Sequence, residues 1–185
     1  MKIDIGSKIK DIAIVTTDKK TKLSQYLDKN LILYFYPRDL TPGCTTESTE
    51  FNDNLKKIKK LGWNVVGVSR DNLKSHQKFI DKYSFKFPLI SDENEKVCKI
   101  FDVIKEKSLY GRKYMGIDRS TFLINQKLKI LHLWRNVKVK GHVDEVIKTI
   151  KEVLVKLFKS KKLKLSKPYS DDDTVLVRVS IDNLK

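Results

Sequence analysis

The sequence predicts an α/β protein in which a mixed β-sheet is covered by helices on both faces. Residues 31–36 form a continuous apolar run, and residues 63–69 read as a second strand that is buried on both sides. Segments with an apolar stripe at helical spacing alternate with these runs, and residues 120–134 show a hairpin pattern. These patterns together indicate helices packed on one sheet.

The first forty residues contain three strand-like segments. Residues 11–17 alternate weakly and predict an early strand, and residues 21–24 are expected to pair back on it as a short second strand. Residues 31–36 are apolar throughout, which predicts a central strand that ends at Pro37.

Two helices and a buried strand follow. Residues 44–61 predict a helix, and Gly62 suits its C-terminal stop. Residues 63–69 predict the second buried strand, and residues 72–83 predict the next helix. The apolar stripes consist of Phe51, Leu55 and Ile58 in the first helix and of Leu73, Phe79, Ile80 and Tyr83 in the second.

The second half of the chain adds shorter elements. Residues 87–90 predict an edge strand, because a proline there cannot donate to a central ladder. Residues 92–101 predict a brief helix that contains Cys98, and residues 105–116 predict a loop. The hairpin of residues 120–134 precedes a long final helix whose apolar stripe runs over residues 143–157.

These elements make up one domain, residues 1–158, followed by a basic C-terminal extension, residues 159–185. In the extension, the β-branched residues at 174–181 predict a short strand. The lysine-rich run at 159–167 is typical either of a nuclear-import or polyanion-binding patch or of a frayed helix end, and the two readings stay open.

Charge and composition restrict the function classes. The net charge of +16 suits a polyanion partner such as nucleic acid, but most of the cations are lysines spread along the chain, which favours a solvated surface. No apolar run is long enough to span a membrane, and the first residues lack a secretory signal. The two cysteines form no CxxC pair, so a reducing, intracellular compartment is expected.

One stretch, residues 37–47, connects the central strand to the first long helix. Cys44 and Glu47 fall at its start, at the expected N-cap and N3 positions. At the start of a helix the backbone N–H groups are free and the helix dipole has its positive end. Both lower the pKa of a thiol placed there, so that the reactive thiolate is available at neutral pH.

The spacing Pro37-x-x-x-Thr41-x-x-Cys44 is the active-site pattern of peroxiredoxins, and its surroundings closely resemble the peroxiredoxin Q branch, also called bacterioferritin comigratory protein. Two distant segments match the same branch. The three matching blocks, in family order, are residues 34–47, 110–124 and 137–143, within a resemblance that covers residues 2–155.

This resemblance implies a thioredoxin-like fold and a thiol-dependent peroxidase acting on hydrogen peroxide or alkyl hydroperoxides. Cys44 would attack the peroxide and become a sulfenic acid. Thr41 would accept from N–H groups and donate to the thiolate or peroxide, Pro37 would shield the thiolate from water, and Arg119 would reach the thiolate from a parallel neighbouring strand. Glu47 is a supporting candidate that would orient Arg119.

The step that regenerates the thiol has two candidates. Many members of the branch have a resolving cysteine five residues after the first, where this chain has Thr49. A minority use a later helix, so Cys98 is the candidate resolving residue and would form an intramolecular disulfide. The alternative is that Cys98 is a core residue and that an external thiol resolves Cys44. Thioredoxin or a similar donor is the expected reductant.

Further expectations complete the sequence-based prediction. His76, His132 and His142 are scattered and are interpreted as structural or surface residues, and Trp63 and Trp134 as core. No bound cofactor and no metal site is expected, and the branch is often monomeric. The alternative function is a nucleic-acid-associated or chromatin-associated protein built on a peroxiredoxin fold. The expected compartment is the nucleus or the cytosol, and the basic tail favours the nucleus.

Overall fold

A computed structural model describes residues 3–109 and 111–160 of the chain. These residues form a five-stranded sheet, a separate two-stranded ribbon and five α-helices. The strands are β1 (Asn30–Phe35), β2 (Trp63–Ser69), β3 (Leu89–Ser91), β4 (Ile104–Leu109), β5 (Arg112–Ile117), β6 (Ser120–Ile124) and β7 (Ile130–Trp134), and the helices are α1 (Pro42–Asp53), α2 (Leu55–Lys60), α3 (Leu73–Tyr83), α4 (Lys96–Ile100) and α5 (His142–Ser160).

The main sheet has the strand order β3-β2-β1-β6-β7. Strands β1, β2 and β3 are parallel, whereas β6 pairs antiparallel with both β1 and β7. Strand β1 therefore lies at the centre with a neighbour on each side, which explains why every residue from 31 to 36 is buried. The predicted mixed sheet, its central strand and its edge strand β3 are confirmed.

The sheet separates two apolar layers, because successive strand residues point to opposite faces. One layer contains Ile32 and Tyr34 of β1 together with Cys44, and helices α1, α2, α3 and α5 cover it. We call it the Cys44 layer. The other contains Leu31 and Leu33 of β1 together with Cys98 of α4 and the N-terminal segment, and we call it the Cys98 layer. Helices thus cover both faces, as predicted.

The N-terminal prediction was wrong in detail. Residues 11–17 form no strand and contribute only isolated bridges, which pair Ala13 with Lys22 and Thr16 with Ile90. Instead of a second strand, Leu23–Tyr26 forms a short 3-10 helix whose Leu23 and Tyr26 are buried. Apolar residues of this segment still pack inward, so the weak alternation reflected burial without a continuous ladder.

Two further elements differ from the prediction. The single helix expected over residues 44–61 is broken at Asn54, whose backbone leaves the helical region (φ −89°, ψ 1°) between α1 and α2. The expected loop, residues 105–116, instead contains most of strands β4 and β5, which pair as an antiparallel ribbon. The ribbon is charged and largely exposed, and no apolar alternation marks it in the sequence.

The last described element is helix α5. It continues to Ser160, two residues past the predicted boundary after residue 158, and the division into domain and extension stays a prediction. Most of the predicted basic extension, including the strand expected at 174–181, lies outside the described residues. Within the described residues, no helix combines the length and apolar character needed to cross a membrane.

Candidate active site

Cys44 lies in the first turn of α1, close to the C-terminal end of the central strand. Thr41 is the N-cap of the helix and Pro42 occupies the first helical position, where a missing N–H costs nothing. The amide of Thr45 closes the first turn on the Thr41 carbonyl at 2.9 Å. Cys44 is therefore the third helical residue, so the expectation that it is the N-cap was wrong by three positions.

Arg119 reaches the same place from β6. The antiparallel register pairs Phe35 with Ser120, so Arg119, one residue earlier, lies beside the point where β1 ends. The strand after Arg119 was predicted to run parallel to its neighbour, which was wrong, but Arg119 still reaches Cys44 as predicted. An antiparallel strand starts where its neighbour ends, and this brings a residue 75 positions away in the sequence to Cys44.

The centre of the site is a row of three side chains. The Arg119 guanidinium donates through Nη2 to Cys44 Sγ at 3.2 Å and through Nη1 to Glu47 Oε2. Cys44 is only 1% exposed and Glu47 is fully buried. The predicted pairing of Glu47 with Arg119 is thus present, and one cation lies between a thiol and a carboxylate in a site that excludes bulk water.

Burial and charge act against each other in this row. Burial opposes the charge on Arg119, but Glu47 and the Cys44 sulfur outweigh it and raise the pKa of the guanidinium. Burial raises the pKa of Glu47 to about 7 even though Arg119 favours its ionised form. Glu47 Oε1 has no hydrogen-bond partner among the described residues, which fits a carboxyl that is partly protonated near neutral pH.

Thr41 and Pro37 lie on the loop between β1 and α1. The Thr41 hydroxyl donates to the Arg38 carbonyl at 3.0 Å, so its lone pairs, and not its proton, are available to a bound molecule. Pro37 is half-buried directly after the buried strand. Both residues belong to the loop that leads to Cys44, as the motif predicted.

The third sequence block supports Arg119 from behind. The Val137 amide donates to the Arg119 carbonyl at 2.9 Å. A β-carbon added at Gly43 would lie 3.6 Å from Arg119 Nη2 and 3.8 Å from Val139 Cγ2, so the first turn of α1 packs closely against this segment. The segment leads into α5, which places all three matching blocks around one thiol.

His142 begins α5 in the same layer and is nearly fully buried. Its Nε2 is 2.8 Å from Thr121 Oγ1. Burial lowers the pKa of His142 to about 4, the nearby Arg119 adds to that effect and Glu145 opposes it. His142 is therefore a neutral structural histidine, in agreement with the prediction. Trp134, expected in the core, is only half-buried and donates to Glu145 at 2.9 Å.

Cys98 is buried in α4 but belongs to the other layer. Asp92 caps this short helix by accepting hydrogen bonds from the amides of Val97 (3.0 Å) and Cys98 (2.7 Å). Burial, with the neighbouring Asp92 carboxylate, raises the pKa of the Cys98 thiol well above its usual range. Both cysteines are free thiols, and the central sheet lies between their layers.

A second polar cluster lies near the site and was not predicted from the sequence. Asp39, on the loop before Cys44, is buried and contacts His76 of α3, which is fully buried and so matches the structural one of its two predicted alternatives. The predicted stripe of α3 assigned an inward position to Leu73, which is 40% exposed. His76 lies one turn before Phe79 and Ile80 on the inward face, so helical spacing alone could have indicated that it points inward.

The nucleic-acid alternative gains nothing from the described part of the chain. The lysine run at 159–167 lies almost entirely beyond Ser160, and a net charge of +16 does not distinguish a polyanion partner from a solvated lysine surface. The nuclear compartment rests on the same tail. No group of three or more histidine, cysteine, aspartate or glutamate residues in the described ranges is arranged to hold a metal ion.

A buried cysteine at the start of a helix, hydrogen-bonded by an arginine from the neighbouring strand of a mixed sheet, is typical of a thiol-based redox protein of the thioredoxin-like class. Comparison with known proteins gives its family. The model of the AhpC/TSA family matches residues 5–133, and the chain belongs to this family of peroxiredoxins.

Curated relatives and solved structures agree. The chain is 48% identical over 132 residues to peroxiredoxin Bcp of Xanthomonas campestris, covering 71% of this chain and 82% of the relative. It is 44% identical over 154 residues to peroxiredoxin Bcp of Bacillus subtilis, covering 83% and 98%. A cysteine-to-serine variant of peroxiredoxin Q from Xylella fastidiosa superposes with a TM-score of 0.77 at 44% identity, covering 82% of this chain and 98% of that one.

A further similar structure bears on the substrate. It is the bacterioferritin comigratory protein of Xanthomonas campestris, described for its alkyl peroxide reduction activity. Its TM-score is 0.71 at 44% identity, covering 76% of this chain and 90% of that one. The predicted peroxiredoxin fold and the predicted branch are therefore confirmed.

Proposed function

We propose that the protein is a thiol-dependent peroxidase that reduces hydrogen peroxide and alkyl hydroperoxides at Cys44. The observation that carries this function is the 3.2 Å hydrogen bond from Arg119 Nη2 to Cys44 Sγ in a buried site at the start of α1. The alkyl class is supported by the activity described for the similar Xanthomonas protein.

In the first step, the Cys44 thiolate attacks one oxygen of the peroxide. An S–O bond forms, the O–O bond breaks, and the leaving oxygen takes a proton to become water or an alcohol. The sulfur is oxidised by two electrons and the peroxide is reduced by two. Arg119 stabilises the thiolate and then the charge that moves onto the leaving oxygen, and a fixed cation in a site without bulk water does this without reorganisation.

Three residues support this step. The free lone pairs of the Thr41 hydroxyl accept the peroxide O–H, because its own proton is held by the Arg38 carbonyl. Pro37 shields the thiolate from water at the end of the strand. Glu47 holds the Arg119 guanidinium in the orientation that points Nη2 at the sulfur.

For the second step, we propose that an external thiol resolves the sulfenic acid. Its thiolate attacks Cys44 Sγ, a mixed disulfide and water form, and a second thiol releases Cys44 as the external disulfide forms. Cys98 was the favoured resolving candidate in the sequence, but its position supports a core role. It lies in the opposite layer, and its thiol, whose pKa burial raises, is a weak nucleophile.

Thioredoxin or a similar dithiol is the proposed reductant, since one molecule supplies both thiols that the second step consumes. A monomer is the proposed working unit; Cys44, Arg119 and Glu47 come from one chain, so these three residues need no partner subunit to form the site.

Two cysteine variants test the proposal. Peroxide consumption with a thioredoxin system should be abolished in Cys44→Ser and retained in Cys98→Ser. Activity that survives in Cys44→Ser would exclude the assignment. A loss of turnover in Cys98→Ser, together with a Cys44–Cys98 link in non-reducing peptide mass spectrometry after one equivalent of peroxide, would instead make Cys98 the resolving residue.

A further inference from the structure

Asp39 is a buried carboxylate on the loop that leads to Cys44, and its side-chain hydrogen bonds hold this loop to other elements. Its Oδ1 accepts from the Tyr36 hydroxyl at 2.7 Å, and its Oδ2 accepts from Ser75 Oγ at 2.8 Å. Oδ2 also lies 2.9 Å from His76 Nδ1, and the Asp39 and His76 side chains are 1% and 0% exposed. Ser75 and His76 belong to α3, so one carboxylate connects the loop to a different helix.

The two ring nitrogens attach His76 to this cluster and to β3. Nδ1 lies 2.9 Å from Asp39 Oδ2 and 3.5 Å from the Tyr36 hydroxyl, and Nε2 lies 3.1 Å from the Ile90 carbonyl. Asp39 and His76 thus form a buried, hydrogen-bonded pair, which we call the Asp39–His76 pair.

The backbone on either side of Asp39 is held too. The Asp39 amide donates to Asp71 Oδ2 at 2.9 Å, just after β2. The next residue, Leu40, has a φ of +61°, a left-handed conformation that costs free energy in a residue with a branched side chain. Thr41 then caps α1. The strained Leu40 backbone needs a fixed point beside it, and the Asp39–His76 pair supplies one three residues before α1 begins at Pro42.

The burial of Cys44 gives this attachment a consequence. With 1% of its surface exposed, Cys44 cannot be reached by the sulfur of an external thiol, although a peroxide is smaller. The loop and the first turn of α1 therefore have to move before the second step. Such a movement separates Asp39 from α3, so the Asp39–His76 pair has to break or shift with it.

We propose that Asp39 and His76 are positioning residues of the peroxidase: their pair holds the loop of residues 37–41 in the closed arrangement that reacts with peroxide and limits the opening that admits the reductant. This inference rests on the proposed function. It predicts opposite effects on the two half-reactions. Weakening the pair makes the reduction of oxidised Cys44 faster relative to the reaction with peroxide.

The test measures the two half-reactions separately in the full-length protein with Cys98→Ser added, so that one thiol is followed. Single-turnover oxidation by hydrogen peroxide and reduction of the Cys44 sulfenic acid by dithiothreitol are quenched with an alkylating reagent and read by intact-protein mass spectrometry. Ser75→Ala removes one donor to the carboxylate, and His76→Gln removes the imidazole ring that contacts it.

A hydrogen bond to a charged group corresponds to about tenfold or more in an equilibrium constant. We therefore expect Ser75→Ala to raise the ratio of the reduction rate to the oxidation rate by about tenfold, and His76→Gln to raise it further while slowing oxidation. Ser24→Ala is the matched control. It also removes a serine-to-aspartate hydrogen bond, to Asp11 at 2.7 Å, but lies on the 3-10 helix of the Cys98 layer. Its ratio should stay at the wild-type value.

A residue that only stabilised the fold would slow both half-reactions together. An unchanged or lowered ratio in folded Ser75→Ala overturns the proposal, and this variant decides if His76→Gln does not fold. A rise of equal size in Ser24→Ala overturns it as well. Failure of the proposed function would look different from failure of this inference. In that case peroxide would not oxidise Cys44 in the Cys98→Ser protein itself, before any further variant is compared.

Discussion

The replacement of Arg119 by methionine is the most direct perturbation of the proposed chemistry. Methionine keeps much of the apolar stem of arginine but neither the charge nor the donors. With Nη2 and Sγ 3.2 Å apart, Coulomb's law at an effective dielectric constant of about 20 gives about 5 kcal/mol between a full cation and a thiolate. Water that enters the variant site will recover part of this energy.

The loss in rate follows from that interaction. Removing one donor that faces developing charge typically costs about 100- to 1,000-fold in rate, or about 2.7–4 kcal/mol, which lies below the Coulomb value as it should. We expect the second-order rate constant of Cys44 with hydrogen peroxide to fall by this factor in Arg119→Met. The rate constant of Arg119→Lys should lie between those of the wild type and Arg119→Met, because an ammonium keeps the charge but cannot bridge Cys44 and Glu47 in the same planar geometry.

The measurement is stopped-flow oxidation under single-turnover conditions in the Cys98→Ser background. Arg135→Met is the matched control. Arg135 is also half-buried and donates to the backbone carbonyls of Phe101 and Asp102, but it stacks on Phe122 of the Cys98 layer. Its loss should cost stability with little change in the rate. A fall of less than about threefold in folded Arg119→Met, set against the 100-fold or more expected from a lost donor, would refute the role of the guanidinium.

Three further predictions concern stability. Burial raises the pKa of Glu47 from 4.5 to about 7, so the folded state holds this proton more tightly than the unfolded chain does, and the resulting stabilisation is lost as pH rises from 4.5 through 7. In Glu47→Gln, urea unfolding should show that a difference of up to about 3 kcal/mol in the free energy of unfolding between pH 4.5 and pH 7 has disappeared. His142 acts in the opposite sense, because burial lowers its pKa from 6.5 to about 4 and stability is lost as pH falls through that window; His142→Phe should therefore flatten the acid loss, and a steeper loss would contradict the shift. Gly67→Ala should lower the free energy of unfolding by about 1–3 kcal/mol, because a β-carbon there would lie 2.8 Å from the Tyr34 ring and from the Leu89 side chain, and an unchanged urea midpoint would show that these side chains can move aside.

Sequence patterns predicted the centre of the fold well for a physical reason. The run at residues 31–36 is apolar at every position because β1 has a neighbour on both sides and a layer on both faces. The motif around Cys44 was informative about the order of strand, loop and helix, although the helix begins at Pro42 and not at the predicted Cys44. The matching segment of residues 110–124 predicted that Arg119 belongs to the site, although the strand that follows it runs antiparallel to β1.

Other features depend on contacts that a local pattern does not contain. The ribbon β4–β5 has no apolar face, because it stands apart from the main sheet, and so it resembled a loop. The brief helix that contains Cys98 was predicted, but the layer that Cys98 enters depends on which face of the sheet the connection crosses. The pairing of Asp39 with His76, 37 residues apart, likewise requires the third dimension.

Burial of the site links its two steps. The same exclusion of water that strengthens the attraction between Arg119 and the Cys44 sulfur also keeps a reducing thiol away from the product. A more open loop would admit the reductant sooner but weaken the interaction that drives the reaction with peroxide. Because Cys98 lies beyond the sheet, no described cysteine relieves this conflict from within the same layer. The free energy that holds residues 37–41 against α3 therefore sets the balance between the two half-reactions, and the buried Asp39–His76 pair is where a single substitution should shift it.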